Sequence, residues 1–187
     1  MKDLVIDGAD ADCVRIFDRK SDKSFKGNYL GNGKILRITY SNGDADSVFP
    51  VMEGSVVQDL MIDAHFSTDS DKEVGVLSLQ INDSFIRNVM LTGAVNATKA
   101  QTVGGLVGEM VNSRLEDVMA GVLKKGKELV GYGLVVTGGN QGNLGGIVGV
   151  ASDSTLQGVK APHGITVEGG LRRIMLVDCW VMETVLR

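Results

Sequence analysis

The sequence is poor in the residues that usually staple a small fold or run a reaction. It holds 2 cysteines, 2 prolines and 2 histidines in 187 residues. Only Cys13 and Cys179 are present, near opposite ends, so a disulfide framework is not supported. His65 and His163 share no metal-ligand spacing with each other or with a cysteine, so no zinc motif is present. Aromatic residues make up only 5%, so the core must come from Val, Leu, Ile and Met. No apolar run approaches the roughly 20 residues of a membrane-spanning helix. The opening MKDLVIDGADADCV lacks the apolar stretch of a secretory signal, and an exported protein would carry that signal outside this sequence. Strong positive charge is also missing. With 19 basic and 23 acidic residues the formal net charge is −4. The densest basic group, Lys124, Lys125 and Lys127, is too small for a phosphate-backbone footprint and reads as a solvated loop, so no nucleic acid partner is expected.

Glycine, by contrast, is abundant: 25 residues, about 13% where about 7% is usual. With so few prolines this is not a disordered chain, and it implies ordered turns between short strands. The densest stretch is Val103 to Val118, VGGLVGEMVNSRLEDV, and related stretches occur on both sides of it. SVVQDL from Ser55, SFIRNV from Ser84, SRLEDV from Ser113 and STLQGV from Ser154 align without gaps. The serines are 29, 29 and 41 residues apart. Each segment has an apolar residue two positions after the serine, Asp, Asn or Gly at four, and an apolar residue at five. Ahead of them stand VFPVMEG, VGVLSLQ, VGGLVGE and LGGIVGV. Two flanking segments fit less well: ILRI, with Arg37 at the acidic position, and LVDCWV, with Asp178 there.

A repeat of this length, with period-two alternation and glycine turns, points to an all-β solenoid. A right-handed parallel β-helix of about five to seven rungs is expected, preceded by a strand or cap over residues 1–23 and occupying 24–187 as a single domain. Equivalent residues then stack in columns. Asp59, Asn88, Asp117 and Asp178 form a ladder at a turn, where short polar side chains bond the local backbone. The other reading of that ladder is a row of carboxylates for metal or acid–base work. Gly104, Gly105, Gly108, Gly145, Gly146 and Gly149 read as turn glycines. They lack the GK[ST] of a phosphate loop and the spacing of a dinucleotide fingerprint. Residues 42–47, 67–73 and 121–143 read as insertions between core strands. The last would explain the spacing of 41, and its LVVTG could add a strand or small hairpin.

VGGLVGEMVNSRLEDVMAGV, and after it LGGIVGVASDSTLQGV, resemble the GLUG motif of bacterial surface proteins. SFKGNYLGNGKILRITY is similar to the segment that precedes such repeats, and LVDCWVMETV to the close of a repeat. Together the resemblance spans about Ser24 to Val185. It implies β-helical repeats, an extracellular or cell-surface location, and an adhesin or spacer role. Similar repeats also occur in the N-terminal regions of IgA-cleaving metallopeptidases. The sequence has no HExxH motif, sorting sequence or lipobox, so the resemblance implies fold and location without activity.

The expectation is a non-enzymatic surface module that uses no cofactor or metal, does not insert into membranes, and binds a host glycan or host surface protein through its loops. Weak binding candidates are Trp180, a sugar-stacking platform if it faces outward, and the loop acids Asp69, Asp71 and Glu73. The last three lack the Gly and distal Glu of an EF-hand loop. The alternatives are a polysaccharide lyase or hydrolase, which would need paired carboxylates on one face, and an accessory region of a large surface peptidase. The sequence stops soon after a rung without a polar cap. It therefore reads as a piece of a longer protein, or as one whose exposed end associates end to end.

Overall fold

A computed structural model describes residues 4–7, 24–41, 47–125, 128–139, 142–160, 164–168, 173–175 and 184–186. The chain enters through β1 (Leu4–Asp7) and β2 (Asn28–Ser41). It then coils through β3 (Phe49–Glu53), β4 (Val56–Ser67) and β5 (Glu73–Val74). The next turn repeats this with β6 (Ser78–Asn82), β7 (Phe85–Ala97) and β8 (Thr102–Gly104). The third uses β9 (Val107–Val111) and β10 (Arg114–Ala120). A side excursion, β11 (Val122–Lys125) and β12 (Glu128–Tyr132), interrupts it before it resumes in β13 (Leu134–Gly139) and β14 (Asn143–Gly145). Beyond lie β15 (Val148–Ser152), β16 (Ser154–Gln157), β17 (Gly164–Glu168), β18 (Arg173–Met175) and β19 (Thr184–Leu186).

Strands one turn apart pair in parallel, which builds three sheets. The largest runs β1-β2-β4-β7-β10-β16-β19 with β13 and β17 at its side, the second β15-β9-β6-β3, and the third β18-β14-β8-β5. Among the described residues only β16 with β19 and β11 with β12 are antiparallel. The chain is therefore an all-β parallel β-solenoid of about three turns.

The interior consists of columns of identical role. Val57, Ile86, Leu115 and Leu156 stack, as do Leu60, Val89, Val118 and Val159, each at most 2% exposed. Leu77, Leu106 and Ile147 are fully buried at the opposite corner. Burying one such side chain contributes about 1.5–3 kcal/mol. The two columns of the large sheet are three residues apart, where strict alternation would make them two. Asp59, Asn88 and Asp117 between them explain this. Their φ values are 56°, 50° and 52°, and this left-handed kink bends the strand and turns the next residue inward again. Asn and Asp tolerate this conformation better than other side-chain-bearing residues. Gly158, at φ 63°, takes the same place one turn on.

The glycine pairs serve close approach. Gly104, Gly108, Gly145 and Gly149 lie inside strands, and neither they nor Gly105 and Gly146 have positive φ. A Cβ on Gly104 would stand 1.8 Å from the Val107 carbonyl oxygen, and one on Gly145 1.7 Å from that of Val148. A Cβ on Gly105 would stand 2.2 Å from the Gly146 carbonyl oxygen. The backbone folds so tightly from the third sheet into the second that no side chain fits.

Two alignments differ from the sequence expectation. Arg37 pairs with Asp63, whereas Asp59 faces the bulge Gly31–Asn32–Gly33, where β2 carries extra residues between Leu30 and Lys34. Of the two readings of LVVTG, it forms a strand and not a hairpin. As β13 it resumes the rung, with Leu134 opposite Gly93 and both Leu134 and Val136 buried. The inserted part is shorter, residues 121–133.

Candidate functional site

The serines that recur in the rungs serve the backbone. Ser55, Ser84, Ser113 and Ser154 are all buried. The Ser55 backbone N–H donates to Ser84 Oγ (3.1 Å), that of Ser84 to Ser113 Oγ (3.0 Å), and that of Ser113 to Ser154 Oγ (3.1 Å). The hydroxyls of Ser84, Ser113 and Ser154 each donate at 2.7 Å to the carbonyl two residues earlier. Ser55 donates to the Phe25 carbonyl at 2.6 Å. A serine hydroxyl has one proton and two lone pairs. Ser84, Ser113 and Ser154 therefore each accept from the neighbouring rung and donate within their own corner.

Two columns of left-handed residues flank this line. One is Asp59, Asn88, Asp117 and Gly158. The other is Gly54, Asp83, Asn112 and Asp153, with φ between 46° and 59°, each one residue before a ladder serine. In both, an amide stands between two carboxylates. Asn88 Nδ2 donates to Asp59 Oδ1 at 2.7 Å, and Asn112 Nδ2 donates to Asp83 Oδ1. Placing an amide between the acids spares each column a direct carboxylate–carboxylate contact.

The loop acids are dispersed. Asp69 is exposed and pairs with Lys99 at 3.1 Å. Asp71 is exposed and Glu73 is half-buried at the start of β5. Hydroxyls shape the loop itself: Ser70 N–H donates to Thr68 Oγ1, and Lys72 N–H to Ser70 Oγ. Among the described residues no three His, Cys, Asp or Glu side chains gather as a metal site would require. His65 is exposed and stands 3.7 Å from Asp63, which also lies 3.6 Å from Arg37. Glu53 is exposed. Its carboxyl is held below the usual range by hydrogen bonds from Lys26 and Ser24 and by the Lys26 charge. Trp180, Asp178, His163, Cys13 and Cys179 lie outside the described residues.

The distinctive surface feature is the insertion. Thirteen residues, 121–133, stand where the neighbouring rung has only Thr92, an excess of twelve that accounts for the spacing of 41 instead of 29. Its root is tied down by Thr92 Oγ1, which donates to the Gly133 carbonyl (2.8 Å) and accepts from the Gly133 N–H (3.1 Å). Gly121 N–H donates to the Leu91 carbonyl at 3.1 Å. Nearby, Val135 is 45% exposed on the outer face.

Sequence reasoning used the serines only as alignment markers and missed the column Gly54, Asp83, Asn112, Asp153. The signal was present, since Gly, Asp or Asn precedes every aligned serine. The chain matches no protein-family model, no curated protein and no solved structure.

Proposed function

We propose that the chain is a non-enzymatic β-helix repeat module of the GLUG type, exported to a bacterial surface, which acts as an adhesin or spacer and binds through its loops. One observation carries this reading: the serines that repeat from rung to rung are buried and bonded to backbone, and the amides Asn88 and Asn112 to the acid of the preceding rung, which suits them to holding a stalk together. The module on this reading is right-handed, the sense that parallel β crossovers take. With its lead-in and closing segments it has five to seven rungs, and it can associate end to end. Its partner is a host glycan or host surface protein, met by the inserted segment 121–133 and the loop at 68–72. Glycan and host-protein arrays, combined with antibody labelling of intact cells, test the proposal. Saturable binding that weakens when 121–133 is excised is expected. Silence on both arrays together with absence of surface label would overturn it, as would release of unsaturated uronate products that stops in Asp117→Ala.

A further inference from the structure

On the outer face of the large sheet, the pairing places Met61 beside Met90 and Met90 beside Met119. All three are half-buried, in contrast to Met52 and Met110, which are sealed in the core. They alternate with inward-facing residues, Leu60 and Ile62 in one rung, Val89 and Leu91 in the next, Val118 and Ala120 in the third. Three thioethers thus form a column on a rigid sheet, with Ile35 at one end and Lys160 at the other.

We propose that Met61, Met90 and Met119 form a thioether site for a soft monovalent cation, Cu(I) or its analogue Ag(I). Thioether sulfur is a soft, uncharged donor that favours Cu(I) and gives little to the hard ions calcium and magnesium. The rung spacing suits it. A metal–sulfur bond of about 2.3 Å places two sulfurs across one ion no more than about 4.6 Å apart, close to the strand spacing of about 4.8 Å. Each methionine has three rotatable bonds, so the outer two can lean toward an ion centred on Met90. The neighbouring column contributes negative charge through Asp59 and Asp117, while Asp63 on the other side is already paired with Arg37. Lys160 at the far end disfavours a position beyond Met119. Binding adds the ion without electron transfer, and nothing in it depends on the adhesin reading.

The test is Ag(I) titration of protein labelled with carbon-13 at its methionine methyls, each signal assigned by a single Met→Leu variant. The expected result is concerted, saturable movement of the Met61, Met90 and Met119 methyls, complete with one equivalent beyond that taken by the two cysteines. Met90→Leu should weaken the response of the other two at least tenfold while leaving the melting temperature within a few degrees. Methyls that stay still, or move independently, would overturn the proposal. So would a Met90→Leu protein in which Met61 and Met119 still respond with unchanged affinity.

Discussion

At the scale of single residues, the fold depends on a few side chains in unusual backbone positions. Asn88 sits left-handed between Asp59 and Asp117 and donates to Asp59. Asn88→Asp keeps the shape, removes the donor and stacks three carboxylates about 4.8 Å apart. The expected loss is about 0.5–1 kcal/mol at low salt, shrinking as salt screens the exposed charges. Urea midpoints measured at low and high ionic strength check both parts. Tyr29 packs edge-on to Phe49 at 6.0 Å, and burial raises its phenol above the ordinary value. A raised folded-state pKa makes a contribution that is complete below the unfolded value of about 10 and is lost as pH climbs toward the folded value. Alkaline unfolding should therefore begin above about pH 10, and that component should vanish in Tyr29→Phe, as pH-dependent melting would record.

At the scale of elements, corners and insertions behave differently. Ser84→Ala removes the acceptor of the buried Ser55 N–H and a hydroxyl that held the Asn82 carbonyl. An orphaned buried donor costs about 1–3 kcal/mol, which guanidinium unfolding would register. The excursion β11–β12 pairs within itself and leaves the large sheet continuous on both sides, β10 before it and β13 after it, each pairing with β7. Replacing residues 121–133 by one threonine, the counterpart of Thr92, should preserve the sheet and shift stability by less than about 1 kcal/mol, because shortening a surface loop changes closure entropy only slowly. Circular dichroism and a thermal melt decide it. The same contrast explains what the sequence disclosed. Serine spacing and apolar pairs disclosed the rungs, because a stacked column forces each rung to repeat its residue type. The Asp59, Asn88 and Asp117 ladder was legible for the same reason. The true limits of the insertion were not, since Leu134 and Val136 repeat the alternation of Ala64 and Phe66 without any shared motif. Nor was the place of Arg37, because the bulge Gly31–Asn32–Gly33 shifts register by a count that no propensity encodes. The need for glycine at Gly104 and Gly145 is legible only once the carbonyls of Val107 and Val148 are placed.

For the whole molecule, stability accumulates turn by turn, because each rung contacts chiefly its neighbours. Inserting a second copy of residues 84–112 between Asn112 and Ser113 should give a longer, folded solenoid whose denaturant m-value rises by roughly a sixth, in proportion to the added buried surface. Equilibrium urea curves of the two lengths test this, and an unchanged m-value would mean that the extra rung stays unfolded. The serine line also gives the molecule a direction. Every serine-to-serine bond in it runs from the N–H of an earlier turn to the hydroxyl of a later one. The axis therefore has a sense, as a one-way thread does, and its two ends are chemically unlike. Copies stacked so as to continue this pattern would all have to point the same way, which describes a polar filament and not a pair closed by two-fold symmetry.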